Sequence, residues 1–345
     1  MSVSAVAQPW TPPSFLGEAM TSLRMILLGY GWAASMHARA AKVAGIEVVG
    51  VAGHNIARAQ TFAETHGIAH VTEDWRTLVA EPNVDLVLVA TPNALHHPQA
   101  MHALTRGKHV LVEKPMALTG ETAKAMIEAA KEAERILAVG HMWRYREEVM
   151  ALRQRIGQGE FGRIVRTHGF GIHAKWGPSG WFTEPTLAGG GALIDMGIHA
   201  IDTARFLLGD PVPLRVQATI GKGMFGDYPV DDDGLVIVDW EGGIRSLVEF
   251  GWHQPRLGGL EAETEVLGTL GAAKIWPDMP PVPVGYEHCS VPMYAAQLAD
   301  VANCCETKQV PACSAEVGFT ALRIVELAYR ANDQPLTPLV SRTVS

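Results

Sequence analysis

The stretch Met25-Ile-Leu-Leu-Gly29-Tyr-Gly31-Trp-Ala-Ala34 decides the fold of the first half of this 345-residue chain. Its apolar start, residues 25–28, predicts a strand buried on both faces. The pattern Gly29-x-Gly31-x-x-Ala34 follows, then a helical stretch to about residue 44 and a second strand at residues 47–52. In such a βαβ unit the glycines allow a tight turn and a close approach to a pyrophosphate, which the helix N-terminus attracts. The sequence therefore predicts a dinucleotide-binding turn, and the alternative is an ordinary glycine-rich turn.

Strands and helices keep alternating to about residue 144. Strands are predicted at residues 84–90, 109–112 and 136–140, and helices at residues 95–106 and 119–133. Repeated βα units predict a parallel, doubly wound sheet that binds ligands beyond the carboxyl ends of its strands. The residues expected to bind the cofactor there are Gly29, Tyr30, Gly31, Trp32, Ala33, Gly53, His54, Asn55, Arg58, Thr91, Pro92, Asn93, His96, Glu113, Lys114 and Arg144.

The end of the second strand bears on the choice between NAD and NADP. An NAD-binding fold usually places a carboxylate there, to accept a hydrogen bond from the ribose 2′-hydroxyl. Here the residues are Gly53-His54-Asn55, with Arg58 on the next helix. His54 and Arg58 could instead contact a 2′-phosphate. The sequence thus predicts NAD(P), with a preference for NADP; the alternative is a loop that does not contact the ribose.

After residue 144 the alternation stops, and strands are predicted at residues 164–172, 214–221, 235–240, 244–252, 261–267 and 272–276. Short turns such as Glu241-Gly-Gly243 indicate hairpins. The expected fold is an N-terminal doubly wound α/β Rossmann domain followed by a C-terminal α+β domain with a mostly antiparallel, open sheet. Two late helices, at residues 292–305 and 315–331, are expected to return to the first domain. The predicted divisions are a flexible leader or arm (1–20), the dinucleotide-binding domain (21–144) and a substrate-binding and oligomerisation domain (145–345).

A glycine-led helix is predicted around Asp195 and His199. Three glycines, residues 189–191, precede it, and a carboxylate and an imidazole four residues apart share one helix face. Such a pair could transfer a proton, with the glycines as a close approach to the nicotinamide. The alternative is a buried structural histidine held by an aspartate.

Five motifs occur in an order that resembles the Gfo/Idh/MocA oxidoreductases over residues 23–339. They are Gly29-x-Gly31-x-x-Ala34, Thr91-Pro92-Asn93-x-x-His96, Glu113-Lys114-Pro115, the Arg144 segment and Gly189-Gly-Gly-x-x-x-Asp195-x-Gly-x-His199-x-x-Asp202. The resemblance implies an NAD(P)-dependent dehydrogenase or reductase of a sugar, cyclitol or related polyol, in a homodimer or homotetramer. It also implies that Lys114, Asp195 and His199 are the catalytic residues. Gly53 departs from the family, in which many members have Asp at this position.

The chemistry of these three residues suits alcohol oxidation. His199 exchanges protons near neutral pH, and the Lys114 cation can stabilise an alkoxide at the crevice. Asp195 either pairs with Lys114 or orients the imidazole, and the sequence leaves both open. A solvated strand-end lysine is the alternative for Lys114. All three residues are also expected to contact the substrate.

Further substrate contacts are predicted on the second domain. They are expected from His173, Lys175, Trp176 and Trp181, because indole faces stack on sugar C–H surfaces and the two polar residues can bind hydroxyls. The alternative is a loop packed by its own tryptophans. Residues 231–233, three aspartates, are interpreted as a solvated turn rather than a polyol contact. Trp252, His253 and Arg256 are expected at the site or at a subunit interface.

Composition excludes several classes of protein. A net charge of −8 and a pI near 6.0 argue against nucleic-acid binding. No apolar run approaches the roughly 18 residues of a membrane span. The four cysteines lack C-x-x-C spacing and no histidine cluster has a suitable third ligand, so no metal is predicted. The first 20 residues do not resemble a secretion signal, so a cytoplasmic protein is expected.

Two functions of other classes stay open at this point. One is a glycoside-cleaving enzyme that retains NAD and oxidises a sugar carbon only transiently, with elimination between the redox steps. The other is a non-catalytic sensor that binds a dinucleotide, although it would not need Lys114, Asp195 and His199 together.

Overall fold

The computed structural model describes residues 23–173, 178–254, 263–276 and 286–333. Its first sheet has six parallel strands in the order β3-β2-β1-β4-β5-β6. They are β1 Arg24–Leu28, β2 Glu47–Ala52, β3 His70–Thr72, β4 Leu86–Val89, β5 His109–Val112 and β6 Leu137–Val139. The order reverses between β1 and β4, where doubly wound sheets bind nucleotides. The predicted Rossmann architecture is therefore confirmed.

Five helices flank this sheet: α1 Trp32–Ala44, α2 Ile56–His66, α3 Trp75–Ala80, α4 His96–Thr105 and α5 Gly120–Glu132. Their ends follow local rules, since the side chains of Asn55 and Thr119 cap α2 and α5, and Gly45 ends α1 in the left-handed conformation. Strand β3 and helix α3 were not predicted, because a three-residue strand and a six-residue helix carry too short a pattern.

The second sheet is mixed, in the order β12-β11-β7-β10-β9-β8. After α6, Glu147–Gly157, its strands are β7 Ile164–His173, β8 Pro213–Lys222, β9 Asp231–Trp240, β10 Arg245–Trp252, β11 Glu263–Gly268 and β12 Ala272–Lys274. Only β7 and β10 pair in parallel, which agrees with the predicted mostly antiparallel sheet. The predicted hairpin at residues 241–243 joins β9 to β10 and uses positive φ at Gly242 and Gly243.

Four helical segments lie between β7 and β8, and two long helices follow β12. The first four are a 3-10 turn Gly180–Thr183, α7 Pro185–Ala188, a π-helical turn Leu193–Gly197 and α8 Ile198–Leu207. The two long helices are α9 Tyr286–Thr307 and α10 Ala315–Asn332. Helix α9 packs on α1 and α10 packs on α5 and β8. The Val139 N–H at the sheet edge donates to the carbonyl of Cys313 at 2.8 Å. The chain thus returns to the first sheet, as the sequence predicted.

Candidate active site

The centre of the site is an ion pair between the two domains. Lys114 is the second residue after β5, and its Nζ lies 2.8 Å from both Oδ1 and the main-chain oxygen of Asp195. Trp252, the last residue of β10, donates its indole N–H to Asp195 Oδ2 at 2.9 Å. Lys114 and Asp195 are 15% and 12% exposed, so the pair borders solvent without being immersed in it. Of the two roles that the sequence left open for Asp195, the geometry shows the pairing with Lys114.

Asp195 lies on a π-helical turn, whereas the sequence predicted a regular α-helix. The turn Leu193–Gly197 packs tightly on the sheet: a Cβ on Gly171 of β7 would overlap the carbonyl of Met196. Gly197 in turn lies against Phe250 of β10. Single π-turns inside helices are frequent at functional sites. Here the turn brings Asp195 close to Lys114 and Trp252.

His199 is the second residue of the regular helix α8 and is almost fully buried. It is 5% exposed, and its Nδ1 is buried without a hydrogen-bond partner. Burial holds its pKa well below the ordinary value, and the positive charges of Lys114, His141 and His173 lower it further. His199 is therefore neutral at pH 7 and can accept a proton. Since Nδ1 is buried, Nε2 is the nitrogen that can meet a substrate.

The three glycines before the helix contact protein, so their interpretation as an approach to the nicotinamide is wrong. Gly189 has φ of +80°, and a Cβ there would lie 2.6 Å from the Leu118 side chain. A Cβ on Gly190 would overlap the Tyr329 hydroxyl, and one on Gly191 would overlap the backbone of β9. Because these glycines have no Cβ, the helix can begin in direct contact with these neighbours.

Asp231 holds that start, so the interpretation of residues 231–233 as a solvated turn is wrong. Its carboxylate accepts the N–H groups of Gly191 and Leu193, each at 2.8 Å, and the hydroxyl of Tyr329 at 2.8 Å. Burial raises the pKa of Asp231. The neighbouring Asp232 is also buried. An aspartate from another strand therefore satisfies N–H groups at the beginning of the helix that carries Asp195.

The nucleotide half of the crevice has a cradle that the protein leaves open. Gly29 has φ of +109°, and a Cβ there would overlap the carbonyl of Ala90, so the fold itself requires this glycine. A Cβ on Gly31 would meet nothing within 4 Å, although Gly31 lies at the N-terminus of α1. That open space beside free helix N–H groups fits a pyrophosphate.

Tyr30 covers the position where a carboxylate would select NAD. A Cβ on Gly53 would overlap the Tyr30 ring, so a side chain does not fit there. The Tyr30 hydroxyl lies 3.2 Å from His54 Nδ1, and the Arg58 guanidinium lies 5.3 Å from the ring centre. Asn55 is occupied in capping α2, where its side chain accepts the N–H of Arg58. Tyr30, His54 and Arg58 therefore form an aromatic and basic cluster at this end of the crevice.

Two residues predicted to bind the cofactor use their side chains inside the protein. The Asn93 amide is buried and donates to the carbonyl of Ala188 at 2.8 Å. Both ring nitrogens of buried His96 lie within 2.8 Å of carbonyl oxygens, those of Pro115 and Thr91. The prediction of direct cofactor contacts is corrected for both side chains, because they join loops around the crevice.

Glu113 is also turned inward. Its carboxylate lies 2.8 Å from Nε2 of the buried His37 and accepts the Lys114 N–H at 3.1 Å. Burial acts to raise the pKa of Glu113, but the His37 contact and the Lys114 charge bring it below its ordinary value. Glu113 therefore supports the loop of Lys114 rather than contacting a cofactor. The sequence analysis missed His37, whose only signal is a histidine on an otherwise apolar face of α1.

Arg144 also uses its side chain inside the protein, which corrects its predicted contact with the cofactor. Its guanidinium is 1% exposed, and its Nη2 donates at 2.7 Å to both Asp202 and Asp210. Phe206 lies under the guanidinium, at 5.0 Å from the ring centre. Arg144 therefore joins the end of the first domain to α8, and Asp202 is its acceptor.

The predicted substrate residues are only partly described. His173 is the register partner of Trp252 at the ends of two parallel strands, so both side chains face the same side of the sheet. Trp181 stacks on Phe182 with ring centres 3.9 Å apart. Lys175, Trp176 and Arg256 lie outside the described residues.

The described residues contain no group of three His, Cys, Asp or Glu side chains placed to hold a metal ion. None of their helices is both long enough and apolar enough to cross a membrane.

Comparison with known families gives matches in both domains. Residues 23–141 match GFO_IDH_MocA, described as "Oxidoreductase family, NAD-binding Rossmann fold". Residues 149–274 match GFO_IDH_MocA_C3, described as "GFO/IDH/MocA C-terminal domain".

Individual relatives agree with the family matches. The chain is 36% identical over 208 residues to the 1,5-anhydro-D-fructose reductase of Ensifer adhaerens, covering 59% of this chain and 62% of that protein. It is 34% identical over 245 residues to the D-glucoside 3-dehydrogenase of Escherichia coli, covering 66% and 70%. The fold is similar to that of GenD2 from gentamicin A biosynthesis in complex with NAD, with a TM-score of 0.83, 24% identity and coverage of 92% and 96%.

Proposed function

The chain belongs to the Gfo/Idh/MocA family of oxidoreductases, and on that premise we propose that it transfers a hydride between NAD(P) and a sugar, cyclitol or related polyol. The reacting carbon would be a carbinol in one direction and a carbonyl in the other. The observation that carries the proposal is the grouping of Lys114, Asp195 and His199 at the carboxyl end of β5, beside a nucleotide crevice. The names of the two relatives above, a reductase and a dehydrogenase of sugar derivatives, support the substrate class.

Each residue has a defined task in this proposal. His199, neutral at pH 7, accepts the hydroxyl proton as the carbonyl forms. Lys114 places an ammonium group against the oxygen and stabilises its alkoxide character. A dinucleotide held at Gly31 and the N-terminus of α1 supplies the hydride acceptor or donor. Burial of the ion pair strengthens these charge interactions.

We propose further that the cofactor is NADP rather than NAD. Tyr30 excludes a side chain from position 53, and thus the carboxylate that would bind a ribose 2′-hydroxyl. His54 and Arg58 are both exposed and close to Tyr30, where they can pair with a 2′-phosphate. Calorimetric titration with both cofactors tests this: we expect tighter binding of NADPH. Markedly tighter NADH binding would contradict it.

A substrate panel tests the main proposal. Purified protein is incubated with sugars, inositols and glycosides and with each cofactor, and absorbance of the reduced nicotinamide is followed. We expect turnover with at least one polyol. Cleavage of a glycoside without net change in cofactor redox state would point to the transient-oxidation alternative. Dinucleotide binding without turnover on any alcohol would favour the sensor.

We propose that the protein forms a homodimer or homotetramer through the open face of the second sheet. On β9 and β10 the inward Val236, Val238 and Val248 are buried, whereas three of the residues that alternate with them on the outward face are apolar and only partly buried in the single chain. These outward residues are Leu235, Ile237 and Leu247. A second copy would cover them. Light scattering at micromolar concentration tests this, and a monomer would contradict it. The cytoplasmic location stays a prediction from the sequence.

A further inference from the structure

The two carboxylate oxygens of Asp195 accept hydrogen bonds from two different parts of the chain. Lys114 Nζ donates to Oδ1 at 2.8 Å and also to the main-chain oxygen of Asp195. Trp252 Nε1 donates to Oδ2 at 2.9 Å. An indole N–H can only donate, so this contact requires Oδ2 as an acceptor. The arrangement therefore favours Asp195 as a fixed anion.

Trp252 is held rigidly enough to set the direction of this bond. Its side chain is 0% exposed, and it ends β10, the strand next to β7 in the sheet. Tyr228 packs edge-on against the indole, with ring centres 5.6 Å apart. A fully buried indole loses little further freedom when it binds Asp195.

The position of Asp195 determines where the hydrogen bonds of the Lys114 ammonium group point. Among the described residues, both of its side-chain hydrogen bonds go to Asp195. An ammonium group has three N–H donors, so one is left for a substrate oxygen. If the Asp195 carboxylate rotated, the bond to Oδ1 would be lost, and the bond to the main-chain oxygen alone would orient the third donor less strictly.

We infer that Trp252 is a positioning residue whose indole N–H fixes the Asp195 carboxylate, which in turn aims the Lys114 ammonium at the substrate. The inference rests on the proposed function for its catalytic consequence. In this arrangement Asp195 orients Lys114, and His199 exchanges the proton. The geometry of the ion pair itself does not depend on which polyol is the substrate.

The test compares two tryptophan variants that each lose one indole hydrogen bond. Trp252→Phe removes the donor to Asp195 and keeps an aromatic ring in the core. Trp240→Phe is the matched control: Trp240 is 1% exposed, lies on the neighbouring strand β9, and donates to Ser246 Oγ at 2.8 Å. Thermal unfolding of both variants measures the general loss of stability.

We expect Trp252→Phe to lower kcat by about tenfold, because a bond to a charged group is lost. Dinucleotide affinity should stay within about threefold of the wild type, since the nucleotide crevice is untouched. Trp240→Phe should keep the wild-type kcat.

A double-mutant cycle with Asp195→Asn shows whether Trp252 acts through Asp195. We expect Trp252→Phe to have little further effect on kcat in the Asp195→Asn background. An equal loss in both backgrounds would overturn the inference, as would a Trp252→Phe variant that matches Trp240→Phe in kcat.

A labelling experiment keeps this inference separate from the proposed function. Acetylation of Lys114 by acetic anhydride, followed by mass spectrometry, needs no substrate. We expect faster labelling of Lys114 in Trp252→Phe than in the wild type or in Trp240→Phe, because a loosened Asp195 shields the amine less. Equal rates in all three proteins would overturn the positioning role. A wild type inactive on every polyol would contradict the proposed function alone.

Discussion

Replacing Gly31 by alanine separates what the fold requires from what a ligand requires. A Cβ on Gly31 would meet no atom within 4 Å, and the backbone there, at φ −81° and ψ −171°, is accessible to alanine. Gly29, two residues earlier, is the matched comparison. It has φ of +109°, and a Cβ there would overlap the carbonyl of Ala90 at the end of β4.

The two substitutions should therefore differ in their effect on stability: Gly29→Ala should destabilise the fold, and Gly31→Ala should mainly weaken dinucleotide binding. Gly31→Ala should change the free energy of unfolding by no more than about 1 kcal/mol in the absence of a dinucleotide. Gly29→Ala should lower it by at least about 2 kcal/mol, because neither the backbone of β4 nor the left-handed conformation can accommodate the methyl group. Gly31→Ala should weaken dinucleotide binding about tenfold or more, since the methyl group occupies the pyrophosphate cradle.

Urea unfolding with and without dinucleotide measures both quantities. At a ligand concentration of about 100 times the wild-type Kd, the wild type should gain about 2.7 kcal/mol. A tenfold weaker Gly31→Ala variant should gain only about 1.4 kcal/mol under the same conditions. The reasoning would be refuted by a Gly31→Ala protein that gains as much as the wild type, or by one as unstable as Gly29→Ala.

Three further predictions concern the chemistry, the cofactor and the pH dependence of stability. His199→Ala and Lys114→Ala should each lower kcat by about 100-fold or more, as measured by steady-state kinetics. Calorimetry should show a dinucleotide affinity within a few-fold of the wild type. Wild-type turnover in either variant would show that the residue takes no part in the chemistry. Arg58→Ala should weaken NADPH binding about tenfold while NADH binding stays unchanged; equal losses for both cofactors would argue against a 2′-phosphate contact. Burial lowers the pKa of His199 and of His141, so the unfolded chain binds more protons than the folded one below about pH 6.5. The free energy of unfolding should therefore fall as the pH drops below that value, by up to about 1.4 kcal/mol per pH unit for each histidine. Urea unfolding at several pH values measures this, and the free energy of unfolding of His199→Asn should depend less steeply on pH than that of the wild type.

Much of the fold could be predicted from the sequence because buried parallel strands are continuous apolar runs. The residues of β4, Leu86–Val89, are all fully buried, and their apolar sequence identified the strand directly. Strand β3, His70–Thr72, escaped prediction because it is short and partly polar. The π-turn Leu193–Gly197 also escaped, since its residues keep a helical apolar pattern and the extra residue per turn depends on packing against Gly171 and Phe250.

The site was predictable in its position but not in the use of each side chain. Lys114 was placed correctly because parallel strands bring their carboxyl ends to one edge of the sheet. Asn93, Glu113 and Arg144 lie near the same edge or its neighbouring loop, yet each side chain binds a partner inside the protein. The direction of a polar side chain depends on which acceptor the rest of the fold brings to it, and no short pattern contains that information.

The sequence by itself determined the βα alternation, the tight turn at Gly29 and the separation of Asp195 from His199, because backbone conformation and hydrophobic periodicity act over a few residues. Only the tertiary structure decided that Asp195 pairs with Lys114, 81 residues away, that Trp252 holds its second oxygen, and that Asp231 caps the helix carrying Asp195. Those bonds join elements that are far apart in the sequence, and burial from water makes each of their donors and acceptors require a partner.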